Sequence, residues 1–272
     1  MLRSSMQAAV TMGQLQKKLD VIGHNMSNTD TPGYKSRQAD FSSLLFQQMD
    51  NLDEVPPANR RTPNGVRIGS GAYLASTDLN MTTGSLKGTG RALDVAIRQD
   101  NHMFQIQTTQ NGETKTMYTR DGAFSFSANN DGTVSLVTSN GNPVLGQNGP
   151  IRLNDNFDSF TIREDGTIMV ERNGTNQQEA QLAMVEATRP RYLEAVGNNL
   201  LAIPDGAEVN AGGIIAEVAP GAVSVKQGSL ETSNVDLSKE MTDMMTTQRA
   251  YQFNSQSISI GDQMLGLVNQ LR

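Results

Sequence analysis

The two ends of the chain carry matching apolar repeats of helical period, separated by about 200 residues rich in glycine and turn signals. Near the N-terminus apolar residues recur every seven positions, and a second set follows four positions behind: Met1, Ala8, Leu15 and Ile22, with Met12, Leu19 and Met26. Near the C-terminus the repeat is Leu237, Met244, Tyr251, Ile258 and Leu265. A seven-residue repeat places one continuous apolar stripe along a helix. The sequence therefore predicts a long helix at each end, suited to packing against other helices.

The C-terminal stripe predicts several narrow helix contacts, because its companion positions begin apolar at Met241 but turn polar at Gln248, Ser255 and Asp262. A simple two-stranded coiled coil would lose half of its seam there. The methionines of this helix suit a surface that meets several non-identical neighbours, since methionine packs adaptably. We therefore predict an assembly interface formed by Leu15, Leu19, Ile22, Met26, Leu237, Met241, Met244, Met245, Tyr251, Ile258 and Leu265.

Composition favours short strands and many turns between the two helices. Only 36% of residues are hydrophobic and 5% aromatic, whereas the chain holds 25 glycines. The net charge of −6 is spread along the chain without a Lys/Arg block, which argues against binding of nucleic acid or of an anionic membrane. The chain has no cysteine, which excludes a disulfide framework, a thiol nucleophile and a zinc–thiolate site.

The sequence shows neither a secretory signal of the usual form nor an apolar stretch of membrane-spanning length. By the ordinary reading the chain is soluble and uncleaved. If it leaves the cell, we expect a route that does not depend on a cleaved signal.

Breaks in the apolar pattern divide the chain into four predicted segments. The first helix should run from about Ser4 or Ser5 to Asn28, where residues 29–33 (TDTPG) combine several helix breakers. Residues 34–49 suit a short helix or an extended arm. We predict an N-terminal helix and turn at 1–45, an extended connector at 46–71, a β-rich body at 72–232 and a C-terminal helix at 233–272. Ser233 is the expected start of that helix, with Asp236 as a weak capping partner.

The middle of the chain is predicted to form β structure because two-residue turn signals recur. They are Asn111-Gly112, Asp121-Gly122, Asp131-Gly132, Asn140-Gly141, Asn148-Gly149, Asp165-Gly166 and Asn173-Gly174. Strands are predicted at residues 124–126, 134–137, 160–162 and 167–170, and a second β region at 180–230. The spacing suits a meander, a sandwich or an open barrel. The predicted fold class is α+β, a mainly β body with terminal helices that pack together in an assembled tube.

No catalytic, cofactor or metal site is predicted. The two histidines, His24 and His102, lack metal-ligand spacing, and the glycines at 84, 88 and 90 lack the residues of a phosphate loop. Asp165 with Glu164, and residues 129–131 (NND), could form a glycosidase acid pair or calcium ligands. Hairpin turns explain them better, because the calcium loop's terminal Glu is missing.

Both ends of the chain resemble the bacterial flagellar rod and hook family. The N-terminal signature is residues 25–35 (NMSNTDTPGYK), and the C-terminal block comprises 228–237 (GSLETSNVDL), 247–255 (TQRAYQFNS) and 262–265 (DQML). Residues 67–71 (RIGSG), 93–97 (LDVAI) and 118–124 (YTRDGAF) resemble the distal rod branch in particular. The motif positions are Asn25, Asn28, Thr31, Pro32, Gly33, Tyr34, Ser233, Asn234, Gln248, Arg249, Ala250 and Tyr251.

The resemblance implies a structural axial subunit of the flagellar basal body, located outside the cytoplasmic membrane. It would be exported unfolded through the flagellar type III apparatus and polymerise helically with copies of itself and with other axial proteins. It implies no cofactor, nucleic acid or small-molecule substrate. A proximal rod or hook subunit is the nearest alternative. A wall-binding or wall-cleaving β module on a rod is an alternative of a different class.

Two further expectations concern the terminal segments. The ends should be mobile in the free subunit and become ordered when neighbours add contacts. The turn at residues 31–34 should lie outside the globular body and set the angle of the first helix. Pro32 fixes one dihedral angle there, and Gly33 can adopt the positive φ of a type II turn.

Overall fold

The structure is a computed structural model of the 272-residue chain, and it describes residues 2–43, 46–49, 66–69, 72–110, 112–204 and 211–270. The chain forms two compact units. The terminal unit consists of Met1–Met26, Arg37–Asp78 and Leu237–Arg272. The body consists of Ser27–Ser36 and Leu79–Asp236. These units divide the chain at other positions than the four predicted segments, because residues 27–36 belong to the body.

The terminal unit contains the two long helices and two strand pairs. Helix α1 (Leu2–Ser27) ends within one residue of the predicted position, where Thr31, Pro32 and Gly33 break the helical pattern. The four strands are β1 (Arg37–Ser43), β2 (Phe46–Met49), β3 (Val66–Gly69) and β4 (Ala72–Leu79), in the pairs β1–β4 and β2–β3. The extended alternative for residues 34–49 is thus confirmed where the structure describes them. Residues 50–65 of the predicted connector lie outside the described residues.

The body is built from short strands. Those of its first half are β5 (Leu86–Gly88), β6 (Val95–Ile97), β7 (His102–Gln110), β8 (Glu113–Thr119), β9 (Phe124–Ala128), β10 (Thr133–Thr138), β11 (Leu145–Gly146), β12 (Gly149–Pro150) and β13 (Arg152–Asn154). Those of its second half are β14 (Ser159–Ile162), β15 (Thr167–Arg172), β16 (Thr175–Gln181), β17 (Met184–Ala187), β18 (Glu194–Gly197), β19 (Leu200–Ala202), β20 (Ile215–Glu217), β21 (Val225–Gln227) and β22 (Ser229–Glu231). A short helix α2 (Ala211–Ile214) precedes β20, and 3₁₀ turns lie at Pro190–Tyr192 and Pro220–Ala222.

The largest sheet of the body has six strands in the order β18-β19-β8-β7-β17-β20. Two three-stranded sheets, β13-β10-β9 and β14-β15-β16, and the pairs β11-β12, β21-β6 and β22-β5 complete it. All of these pairings are antiparallel. The last two pairs bring strands from near residue 230 beside strands from near residue 90. The C-terminal part of the body therefore closes onto its N-terminal part.

Two hydrophobic clusters form the core of the body. The larger includes Phe104 and Phe124, whose rings meet edge to face with centroids 5.1 Å apart. The smaller gathers Met81, Met103, Val185, Leu193 and Ile215. The predicted strands at 124–126, 134–137, 160–162 and 167–170 all lie within observed strands, and the α+β fold class is confirmed. No described helix is apolar enough over a sufficient length to cross a membrane.

The turn predictions hold at most positions. Gly132, Gly141, Gly166 and Gly174 adopt positive φ between successive strands, and Gly149 does so at the first residue of β12, whereas Asn111 lies outside the described residues. Asp121-Gly122 separates β8 from β9 as predicted, although these two strands do not pair with each other. Gly122 lies against the backbone oxygen of Val95, where a side chain has no room.

The start predicted for the C-terminal helix is also wrong. Helix α3 (Leu237–Gln270) begins four residues after Ser233. The Ser233 hydroxyl accepts a hydrogen bond from the Val235 N–H at 3.3 Å, and the next residue, Asn234, is bonded within the body. These contacts keep the chain non-helical until Leu237.

Candidate assembly site

The two terminal helices lie antiparallel within the terminal unit. A Cβ placed on Gly261, near the end of α3, would lie 3.1 Å from the Ser5 hydroxyl, near the start of α1. At the opposite ends the Asn25 Nδ2 donates a hydrogen bond of 2.9 Å to the Glu240 Oε1. The two contacts are 20 residues apart along α1 and 21 along α3. The first and last parts of the chain therefore run alongside each other over most of α1.

The apolar stripe predicted on α1 is its shielded side. Ala8 and Ile22 are buried, and Met12, Leu15, Leu19 and Met26 are half-buried. The polar residues between them, such as Gln16 and Asp20, are exposed. The assignment of Leu15, Leu19, Ile22 and Met26 to contacts between copies stays a prediction.

The shielded side of α3 contains Met244, Tyr251, Ile258 and Leu265 of the predicted stripe, together with small and polar residues. Its buried and half-buried residues include a series that alternates by four and three: Glu240, Met244, Thr247, Tyr251, Asn254, Ile258, Gly261 and Leu265. The series contains Glu240 and Gly261, so it faces α1. The companion positions Met241, Gln248, Ser255 and Asp262 are all exposed, and the assignment of Met241 to contacts between copies stays a prediction. Half of the true seam is small or polar, and apolar periodicity could not reveal it.

The buried side chain of Asn25 connects three segments of the terminal unit. Its Oδ1 accepts a hydrogen bond from the Arg37 N–H at 3.0 Å, and its Nδ2 donates to the Arg37 carbonyl at 2.8 Å as well as to Glu240. The amide thus pairs with the Arg37 backbone as a neighbouring strand would. Asn25 therefore fixes the end of α1 against both the start of β1 and the start of α3.

The family-motif turn at residues 31–34 belongs to the body. The Tyr34 N–H donates to the Thr31 carbonyl at 3.3 Å, and Gly33 has φ +66°, which confirms the predicted positive φ. Residues 33–36 are all buried. A Cβ on Gly33 would lie 2.5 Å from the Arg120 carbonyl carbon, so the turn is pressed against the Arg120 backbone. This corrects the expectation that the turn lies outside the globular body.

Hydrogen bonds hold this turn segment, residues 31–36, along its whole length. The Gly33 N–H donates to the Glu231 carbonyl at 2.9 Å, and Asn199 Nδ2 donates to the Pro32 carbonyl at 2.9 Å. The Ser36 N–H donates to Asn234 Oδ1 at 2.7 Å. The amide of Asn234 also donates to the carbonyls of Asn80 and Thr82, at 2.8 and 3.0 Å. The N-terminal and C-terminal motifs therefore meet in the body through direct contacts.

A buried ion cluster lies beneath the turn segment. Glu231 Oε1 accepts from the Lys35 ammonium at 2.6 Å, and Glu231 Oε2 accepts from Arg120 Nε at 2.8 Å. The Gly84 N–H donates to Glu231 as well, at 2.8 Å. Both cations have further acceptors: Lys35 donates to the Thr82 carbonyl, and Arg120 donates to the Gln99 and His102 carbonyls. Each side chain of the trio is almost fully buried.

Burial changes the pKa values of several groups near the motifs. Burial, followed by the positive charge of Arg120, lowers the pKa of Lys35 from 10.5 to about 8, and Glu231 opposes this change. Burial lowers the pKa of His102 and raises that of Glu240. Because the pKa of Lys35 lies above 7, Lys35 remains mostly charged at neutral pH.

The remaining motif residues lie on or next to the helices. Thr31 donates its hydroxyl and its N–H to Asn28, which shapes the exit from α1. Gln248 and Arg249 are exposed on α3, whereas Ala250 and Tyr251 are half-buried. No role was predicted from the sequence for Arg120, Glu231 or Asn199. For Arg120 and Glu231, the only sequence signal is a charged residue within a stretch that resembles the family.

The acidic residues considered for catalysis or calcium lie in turns. Asp131 accepts from the Thr133 N–H at 3.1 Å, and Asp165 accepts from the Thr167 N–H at 2.9 Å. These are the side-chain-to-backbone bonds of hairpin turns. Among the described residues no group of three or more His, Asp or Glu side chains could hold a metal ion.

Three family models match the chain, and together they cover both ends and much of the body. Residues 7–35 match the flagella basal body rod protein family. Residues 97–170 match the D1 domain of the flagellar hook protein FlgE/F/G family, and residues 226–271 match the C-terminal region of the flagellar basal body rod FlgEFG family. The two terminal matches include the turn segment, Glu231 and α3. The class defined by fold and motifs is therefore that of flagellar axial proteins.

Curated relatives match over essentially the whole chain. The flagellar hook-basal body complex protein FlhP of Bacillus subtilis is 41% identical over all of both chains. The flagellar basal-body rod protein FlgG is 35% identical in Bacillus subtilis, again over all of both chains, and 33% identical in Borreliella burgdorferi over 100% of this chain and 99% of the relative. The chain belongs to the flagellar basal-body rod and hook protein family, close to distal rod FlgG proteins. It is a structural protein of the flagellar basal body.

Proposed function

We propose that this rod subunit polymerises helically through α1 and α3, with copies of itself and with other axial proteins, to form part of the rod wall. The observation that carries the proposal is the antiparallel α1–α3 pair, whose outer side on α3 is apolar. Exposed apolar residues on a helix of a soluble chain mark a contact surface. The relatives named as FlgG basal-body rod proteins support a distal position in the rod.

The chain acts as a building element without catalytic activity, and it reaches the rod as an extended chain through the flagellar type III export apparatus. Its membership of a structural family supports the first statement. The second follows from the resemblance of both ends to exported axial proteins. Outside the cytoplasmic membrane, the absence of cysteine makes the fold independent of disulfide formation.

Deletion of the gene tests the proposed function. Basal bodies purified from the deletion strain should have a shortened or missing rod, and the cells should not swim until the gene is restored. Complete basal bodies and normal swimming in the deletion strain would overturn the proposal.

Helical reconstruction of isolated rods tests the proposed mode of assembly. Density for this subunit should place α1 and α3 in the inner wall, in contact with the helices of neighbouring subunits. A reconstruction with both helices on the outer surface, away from other subunits, would contradict polymerisation through the termini.

A further inference from the structure

His102 lies next to the buried ion cluster, at the first position of β7. Only 8% of His102 is exposed, and its buried Nδ1 atom has no hydrogen-bond partner among the described residues. The carbonyl of the same residue accepts a hydrogen bond of 2.9 Å from Arg120 Nη1. His102 is therefore a buried ionisable group with an unpartnered ring nitrogen, adjacent to a buried cation.

The segment that precedes β7 holds the Arg120 guanidinium in place. The carbonyls of Gln99 and His102 both accept hydrogen bonds from Arg120 Nη1, at 3.0 and 2.9 Å. Between these two residues Asn101 has a φ of +61°, and its carbonyl accepts a hydrogen bond of 2.8 Å from the Ala187 N–H. A displacement of His102 would therefore remove an acceptor from Arg120 and disturb the ion cluster.

The ion cluster next to His102 already has an excess of positive charge. Lys35 and Arg120 share the carboxylate of Glu231, so the cluster holds two cations and one anion. A protonated His102 would add a third cation, and its Nδ1–H would have no acceptor among the described residues. Burial of a charge without a partner is strongly unfavourable. The folded body therefore favours the neutral imidazole.

Glu186 is the anion that favours protonation of His102. It lies on β17, directly opposite His102 in the antiparallel pair, but its side chain is exposed. Asp100 and Asp121, on the segments that precede β7 and follow β8, each accept a hydrogen bond from a backbone N–H. Burial lowers the pKa of His102, Glu186 opposes this change, and the positive charge of Arg120 adds to it. Protonation of His102 is thus easier in the unfolded chain than in the folded body.

We propose that His102 is an acid-sensitive switch of the body: protonation of its imidazole expels the ring from its buried position, breaks the contact with Arg120 and opens the body around the ion cluster. In the unfolded chain His102 has its ordinary pKa near 6.5, and in the folded body its pKa is lower. The contribution of His102 to stability is therefore fully present above about pH 6.5 and is lost as the pH falls below that value. The switch belongs to the single subunit, so it goes beyond the proposed function and does not depend on it.

Urea denaturation of the full chain tests the switch between about pH 7.5 and about pH 5.5. His24→Gln is the reference chain, because it leaves His102 as the only histidine. As the pH falls over this range, the equilibrium constant for unfolding of the reference chain should rise by up to about tenfold more than that of the double variant His24→Gln with His102→Gln. The reason is the proton that the histidine binds more readily in the unfolded chain. An equal rise in both chains would overturn the proposal.

A second measurement leaves His102 in place and does not depend on the folding of the double variant. In an NMR titration of the folded reference chain, the imidazole signals of His102 should move at a pH below about 6.5, and Glu186→Gln should lower that pH further. Glu194→Gln removes another exposed carboxylate and should leave the titration unchanged. Titration of His102 at its ordinary value in the folded chain, or equal titration in the Glu186→Gln and Glu194→Gln variants, would overturn the proposal. The proposed function, which the deletion strain tests, would then still stand.

Discussion

Glu231 is the anion of the buried ion cluster in the body. Its carboxylate accepts hydrogen bonds from the Lys35 ammonium, the Arg120 guanidinium and the Gly84 N–H. A buried ion pair adds little net stability over an apolar replacement, because desolvation of the charges offsets their attraction. Removal of a single member is different, since it leaves an unpaired charge in the interior. We therefore expect the trio to favour the arrangement that brings Lys35, Arg120 and Glu231 together.

The variant Glu231→Gln should destabilise the body strongly, because it leaves the two buried cations without an anion. We expect the free energy of unfolding, measured by urea denaturation, to fall by about 3–5 kcal/mol. Glu113→Gln provides the matched control, because Glu113 is exposed. Similar unfolding midpoints for both variants would show that Glu231 is not required for the body.

Lys35 predicts a measurable dependence of stability on pH. Its pKa is about 8 in the folded chain and has its ordinary value near 10.5 in the unfolded chain. Between these values the unfolded state holds more protons, so the contribution of Lys35 to the free energy of unfolding rises with pH. The free energy of unfolding of the natural chain should therefore rise relative to that of Lys35→Met, by about 1–3 kcal/mol from pH 8 to pH 10.5.

Urea denaturation across that pH range measures the effect, and Lys87→Met, which removes an exposed lysine, is the control. If the two chains differ in free energy of unfolding by the same amount at every pH, the lowered pKa of Lys35 is contradicted.

The residues of the family motif could be found from the sequence, but the residues that they contact in the folded body could not. Thr31, Pro32 and Gly33 predict a turn with a positive φ by themselves, because their dihedral preferences are local. That Gly33 lies against the Arg120 backbone depends on tertiary structure alone. The same holds for Lys35 and Glu231, which are 196 residues apart. A single sequence carries no signal for such a pair.

At the scale of elements, the turn segment acts as an additional piece of the body. Gly33 is constrained in two ways, by its φ of +66° and by the Arg120 backbone, which would lie 2.5 Å from a Cβ at this position. Gly174 has a similar φ of +75° but open space around it. A comparison of these two glycines therefore separates the cost of the positive φ from the cost of the missing space for a Cβ.

The variant Gly33→Ala should lower the melting temperature of the body far more than Gly174→Ala. Gly174→Ala should cost about 1 kcal/mol for the positive φ alone. Gly33→Ala should cost about 2 kcal/mol or more in addition, because the backbone of Arg120 would have to move. Thermal unfolding followed by circular dichroism measures both. Equal losses would mean that the turn segment does not pack in the body as described.

Neighbouring methionines of α3 separate the contact with α1 from contacts between copies. Met244 lies on the α1-facing series, whereas Met245 is exposed on α3. Met244→Asp should lower the helical signal of the free subunit and block polymerisation, because a charge would enter the seam. Met245→Asp should keep the helical signal and block polymerisation only. Normal swimming by cells that carry either variant alone would rule out that residue as an assembly contact.

The two helices were predictable from their apolar period. The residues at which they begin and end, and the side of α3 that faces α1, could be predicted only in part. The end of α1 is set by local residues, and the prediction was right within one residue. The start of α3 is set by the bonds of Asn234 within the body, and the prediction at Ser233 was wrong. The α1-facing series includes Thr247, Asn254 and Gly261, which carry no apolar signal. Local chemistry could be read from the sequence, whereas tertiary contacts could not.

For the whole molecule, the two units should differ in stability. The body has two hydrophobic clusters and a buried ion cluster, whereas half of the α3 seam is small or polar. In the free subunit, amide hydrogen exchange should therefore be faster in α1 and α3 than in β7 and β8. Equal protection of helices and strands in a verified monomer would contradict the expectation that neighbours stabilise the ends.

The meeting of the turn segment with Glu231 has a consequence for the order in which the chain becomes available. Strands β21 and β22 and residue Asn234 are the last pieces that the body needs, and only 38 of the 272 residues follow Asn234. A chain that emerges from its N-terminus onward therefore holds Lys35 without its anion until nearly all of it has appeared. The body can therefore complete its fold only after residues 225–234 have emerged.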